Sequence, residues 1–189
     1  MEEFRPILLK KLNNANKVVF MGIGEEKLSD DGVGPYIISE LLDYSSEKTL
    51  FINAGIDPMS RIENIIEYQP SHLVLLDTCT LSKPPGTVAL IERENIKEFV
   101  PISTHTIPIH IVVDLIIEKL PNLKVFMIGI VPECLEGFSE LSLYKEGEFS
   151  IEERSEHEDL PFFEFNLTDT VQEVADQIVK IIKEIMNKL

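Results

Sequence analysis

The sequence predicts an α/β protein: a three-layer α/β/α sandwich around a mostly parallel five-stranded sheet with one antiparallel strand. Three observations carry this. Short unbroken apolar runs alternate with segments of helical period, the pattern of strands covered by helices on both faces. Most strand-to-strand links are long enough to hold a crossover helix, as a parallel return requires. One link, Leu81-Ser82-Lys83-Pro84-Pro85-Gly86, is a bare turn, so the strand after it should run antiparallel to its predecessor.

Along the chain, Ile7, Leu8 and Leu12 offer one apolar stripe of a short helix, which Asn13-Asn14-Ala15-Asn16 breaks. Val18 to Met21 is the first strand and ends in Gly22-Ile23-Gly24. Residues 32–44 carry Val33, Ile37, Ile38, Leu41 and Leu42 at helical spacing. Leu50-Phe51-Ile52 is the second strand. Asp57 caps the next helix, with Pro58 at its first position and Met59, Ile62, Ile65 and Ile66 facing inward. Leu73 to Leu76 is the third strand and ends at Asp77; Thr87 to Ile91 is the fourth. Pro108 opens a helix with Ile111, Val112, Leu115 and Ile116 inward, and Lys124 to Ile130 is the fifth strand. A closing helix has capping-box spacing at Thr170-x-x-Glu173. Its apolar face is Val171, Val174, Ile178, Ile181, Ile182 and Ile185.

The 189 residues suit one domain, 1–189, at roughly 150 residues per domain. Residues 1–16 read as an N-terminal extension and 133–165 as an acidic surface insertion, with a hairpin around Lys145 to Gly147. A net charge of −16 argues against nucleic acid, which is bound by clustered Lys and Arg. The apolar runs are strand-sized, so no membrane span is expected; no secretory signal is apparent, and the expected compartment is the cytoplasm. Two cysteines, Cys79 and Cys134, imply no disulfide framework.

In such sheets ligands bind beyond the carboxyl ends of the strands, where connections diverge. Three places qualify. The first is the loop Gly22 to Gly34, with Asp30 and Asp31 at the head of a helix. It lacks the third glycine of a dinucleotide fingerprint (Lys27 stands there) and the Gly-Lys-Ser/Thr of a P-loop, so no nucleotide is expected. Helix capping would account for one of the two aspartates. The second is Asp77, whose bland alternative is a turn with Thr78 and Thr80. The third is His105 in Ser103-Thr104-His105-Thr106-Ile107-Pro108, a ligand or general base unless it is merely structural. His72 falls at the opposite pole, His110 inside a helix and His157 in the acidic insertion. Asp31, Asp77 and His105 share one end of the sheet and would make an incomplete three-ligand shell. Such a shell suits Mn, Fe, Ni or Zn in a catalytic or substrate-sensing role. No serine or cysteine triad signature is present.

These residues resemble the nickel–iron hydrogenase maturation endopeptidases. Gly22-x-Gly24 with Asp30-Asp31-Gly32-x-Gly34-Pro35 is similar to that family's opening motif. Gln69-Pro70-x-x-Leu73-Val74-Leu75-Leu76-Asp77, Pro85-Gly86-x-Val88, Ser103-Thr104-His105-x-x-Pro108-Ile109 and Val125-Phe126-x-Ile128-Gly129-Ile130-x-Pro132 resemble its later segments. The chain departs at Glu25, where the family commonly has asparagine, and at Asn53-Ala54-Gly55, where it commonly has an aspartate after the second strand. The segment from Glu133 to about Phe165 is longer than expected.

The resemblance implies an endopeptidase that removes the C-terminal extension of a nickel-loaded hydrogenase large-subunit precursor. Asp31, Asp77 and His105 would contact the metal. The nickel would come from the substrate, serving as its recognition element. Asp30, Asp31 and Asp77 are the candidate bases for an aspartyl-type hydrolysis, with metal-polarised attack as the other route. The rival from another class is a metal- or ligand-sensing module that cuts nothing.

Overall fold

The computed structural model describes residues 3–100, 107–135 and 166–186. Five strands, β1 (Val18–Ile23), β2 (Thr49–Gly55), β3 (His72–Thr78), β4 (Val88–Glu92) and β5 (Lys124–Ile130), form one sheet in the order β2-β1-β3-β5-β4. All neighbours are parallel except β4, which runs antiparallel to β5. The short turn after β3 therefore reverses the chain, as its length requires. The partner of β4 is β5, which enters later and takes the place beside β3.

Among the described residues six α-helices cover the sheet: α1 (Phe4–Lys11), α2 (Val33–Ser39), α3 (Ile62–Tyr68), α4 (Ile96–Phe99), α5 (Ile109–Lys119) and α6 (Asp169–Met186). The alternation of side chains along each strand sorts them into two layers. Val18, Phe20, Val74, Leu76, Phe126 and Ile128 face α1, α2 and α6. Val19, Met21, Leu73, Leu75, Val125 and Met127 face α3, α4 and α5. Both faces of β1 and β3 are fully covered, which is why those segments read as unbroken apolar runs.

Several details differ from the sequence expectation. In α5 the buried residues are Ile109, Val112, Val113 and Ile116, while Ile111 and Leu115 are exposed. Every residue of Ile111–Val113 and Leu115–Ile117 is apolar, so period alone admits two adjacent faces. α2 stops at Ser39, and Leu42 lies in an exposed 3-10 turn. α6 begins at Asp169, with the Thr168 carbonyl accepting from the Gln172 amide, so Thr170 lies inside the helix instead of capping it. Asp57 does cap, accepting from the Ser60 amide, and Pro58 opens a 3-10 turn that leads into α3.

Within residues 1–16, Phe4, Leu8 and Leu12 are buried in the α2–α6 layer and Ile7 is exposed. Arg5 pairs with Glu184 at 3.1 Å and Lys11 with Glu92, tying α1 to α6 and β4. The expected hairpin around Lys145, and all but the first three residues of the 133–165 insertion, lie outside the described residues. Among the described residues no helix is long and apolar enough to cross a membrane.

Candidate active site

The connection from β1 leads outward to β2, while β3 is flanked on its other side by β5. The sheet order therefore changes direction between β1 and β3, and it is above the carboxyl ends at such a point that sheets of this kind bind ligands. Asp31 follows β1 and Asp77 is the last residue but one of β3.

Glycines let the loop that carries Asp31 approach the end of the strand that carries Asp77. A Cβ on Gly34 would lie 2.3 Å from the Leu76 carbonyl oxygen and 2.5 Å from that of Ile23. One on Gly22 would lie 2.4 Å from the Gly34 carbonyl oxygen. The first turn of α2 thus rests directly on the ends of β1 and β3. The 3-10 turn Ser29–Gly32, which carries Asp30 and Asp31, packs against β3. Ordinarily Gly→Ala inside a helix stabilises by about 1 kcal/mol. At Gly34 the sign should reverse, because the added methyl meets backbone that cannot step aside. Gly34→Ala is expected to lose about 1–3 kcal/mol, read as a lowered thermal midpoint.

Three aspartates of this end are buried, at 0% (Asp30), 4% (Asp31) and 2% (Asp77) exposure. Their surroundings differ. Asp30 Oδ2 accepts from the amides of Glu133 (2.8 Å) and Cys134 (2.9 Å). Its Oδ1 accepts from the Thr168 amide (2.8 Å) and hydroxyl (3.0 Å). Both oxygens are engaged by donors from the segment after β5 and from the start of α6. Asp31 Oδ2 accepts from the Glu25 amide at 2.7 Å. Asp77 Oδ1 accepts from the Thr78 amide at 2.7 Å.

Cys79, two residues beyond Asp77, has its thiol pushed up to about 12 by burial and then by the Asp77 charge. It stays protonated at neutral pH and supplies no thiolate nucleophile.

His105 lies outside the described residues. The helix that follows it, α5, leads through Leu120 and Leu123 into the start of β5, so Ile109 opens at the carboxyl pole of the sheet. Among the described residues no group of three or more His, Cys, Asp and Glu is placed to hold a metal ion. The described part of the proposed shell is the pair Asp31 and Asp77.

His72 starts β3 at the far pole, 1% exposed, with Nδ1 2.9 Å from the Ser71 hydroxyl. Burial first, and the nearby Lys124 second, hold its pKa below the ordinary 6.5. The folded chain thus keeps His72 neutral where the unfolded chain takes up a proton. Stability should fall as the pH drops through 6.5, until the folded-state pKa is reached. Urea midpoints at pH 7.5 and 5.5 check this, since a His72→Leu variant should lose less over that interval than the wild type.

Sequence reading did not find Thr168, the Glu133 and Cys134 amides or the Glu25 amide. Backbone donors leave no residue signature, and Thr168 is 138 positions from Asp30.

A sequence model of the hydrogenase maturation protease family HycI matches residues 35–156, more than half of the chain. A putative hydrogenase maturation protease of Methanocaldococcus jannaschii is 34% identical over 140 residues, covering 70% of this chain and 82% of the relative. The hydrogenase 3 maturation protease of Escherichia coli K12 is 26% identical over 117 residues, covering 62% and 74%. In structure, the chain is similar to the NiFe hydrogenase maturation protease HycI from Thermococcus kodakarensis KOD1, with a TM-score of 0.73 at 20% identity, covering 96% of this chain and 99% of that one.

Proposed function

The chain belongs to the hydrogenase maturation protease family, and on that premise we propose that this peptide hydrolase removes the C-terminal extension of a nickel-loaded hydrogenase large-subunit precursor. The observation that carries the reading is the burial of Asp31 and Asp77 at the carboxyl ends of β1 and β3, the two strands between which the sheet order changes direction. Each is already oriented by a backbone amide, Asp31 by that of Glu25 and Asp77 by that of Thr78. Carboxylate oxygens so oriented suit a divalent first-row metal ion delivered by the substrate.

Asp31, Asp77 and His105 complete the shell of the precursor's nickel and so fix the scissile bond beside them. A precursor without nickel offers these groups no strong contact, and cleavage waits for metal loading. Hydrolysis adds water across the peptide bond: the water oxygen bonds to the carbonyl carbon, the C–N bond breaks, and the water's proton ends on the leaving amine. The carboxylates of Asp31 and Asp77 are the groups able to carry that proton. Asp30, with four donors on its two oxygens, serves as the anchor that holds the aspartate turn to the segments around Cys134 and Thr168.

The test is incubation with candidate large-subunit precursors, with and without nickel, followed by intact-mass spectrometry. Loss of the C-terminal mass only from nickel-loaded precursor supports the reading. Binding with unchanged mass would make the chain a sensing module.

A further inference from the structure

Beside Asp31 lies a second network that the chemistry above does not use. β2 carries an extra residue opposite the end of β1: Gly22 pairs with Asn53 and Ile23 with Gly55, leaving Ala54 as a bulge. A bulge re-aims the neighbouring side chains, and here Asn53 is held by two bonds. Its Oδ1 accepts from the Gly55 amide at 3.0 Å, a local turn completed by Gly55 at φ +53°. Its Nδ2 donates to Glu26 Oε1 at 2.7 Å. The Gly55 carbonyl in turn accepts from the Gly24 amide, so the end of β2 holds both edges of the segment Gly24–Glu26.

Between those two holds sits Glu25, whose amide donates to Asp31 Oδ2 at 2.7 Å. Behind them, Gly32 leaves room for the Glu26 backbone: a Cβ there would come within 3.2 Å of the Glu26 Cα and carbonyl oxygen. Asn53 is therefore joined to Asp31 through one short loop. The join needs a neutral donor at position 53, since a carboxylate there would face Glu26 across a hydrogen-bond distance.

From this we infer that Asn53 is a positioning residue for the reaction: through Glu26 it holds the Glu25 amide on Asp31, and so sets the direction in which the Asp31 carboxylate meets the substrate's metal. The inference rests on the proposed role of Asp31. Groups that orient a metal-binding side chain typically matter 10- to 100-fold, and Asn53 should fall in that range.

Two measurements test it together. The first is amide hydrogen exchange of the full chain without substrate, read at Glu25. Asn53→Asp keeps the acceptor for Gly55 and removes only the donor to Glu26. It should speed Glu25 exchange, and adding Glu26→Gln, which supplies a donor from the other side, should slow it again. The second is processing of nickel-loaded precursor. Asn53→Asp should lower kcat about 10- to 100-fold with KM little changed, and the double variant should recover most of the loss. Unchanged Glu25 exchange in Asn53→Asp, wild-type kcat in that variant, or no recovery in the double variant overturns the inference. If the wild type cuts no precursor, the proposed function fails, and the exchange data still decide whether Asn53 holds the loop.

Discussion

Asp31→Asn is expected to reduce processing of nickel-loaded precursor by about 10²- to 10⁴-fold while leaving the folded chain intact, the range associated with losing a positioned proton-transfer group. The substitution keeps the shape, and an amide oxygen can still accept from Glu25 N–H, so the 3-10 turn Ser29–Gly32 should keep its place against β3. What is lost is the negative charge, on which the proposed metal contact and the proposed proton transfer both depend. The check is the rate of mass loss from precursor, with a thermal melt of the same sample. A thermal midpoint within a few degrees of wild type, together with lost activity, is the expected pair. Wild-type processing would remove Asp31 from the site.

Asp30→Ala should do the opposite: the larger effect falls on stability. The carboxylate is fully buried and receives the amides of Glu133, Cys134 and Thr168 and the Thr168 hydroxyl. Removing it takes the acceptor from donors on exposed or half-buried residues, where water replaces part of what is lost, so the total expected is about 2–4 kcal/mol, less than about 1–3 kcal/mol for each of four fully buried donors. For a chain of this size that is a drop on the order of 10 °C in thermal midpoint. Asp30→Asn, which retains one acceptor, should fall between the two. An Asp30→Ala variant that melts with the wild type would show that the anchor holds nothing.

On the proposed function the neighbouring aspartates divide the work, one as anchor and one at the site, and that division shows what a sequence can disclose. The covered strands were legible because Val18–Met21 and Leu73–Leu76 are apolar on both faces. From strand order alone, Asp31 and Asp77 fall at the carboxyl pole, because one follows β1 and the other lies at the end of β3. The distinct job of Asp30 was not legible, since its partners lie more than a hundred residues away and most of them are backbone amides. The same holds for β4, whose turn length gives its direction but not its neighbour β5. The four-residue α4 is too short to show a period, and in α5 the apolar surplus around Val112 hides which stripe is buried. Asn53 departs from the family's usual pattern, yet its bond to Glu26 appears only once the β2 bulge aims it.

The most direct measurement of the central claim is anomalous diffraction from crystals of this chain grown in millimolar nickel. One ion is expected above the ends of β1 and β3, bound by Asp31, Asp77 and His105 at about 2.0–2.2 Å, the range for carboxylate oxygen and imidazole nitrogen on a first-row divalent metal. An ion bound elsewhere, or an imidazole of His105 held on the far side of the sheet from the two carboxylates, would contradict it.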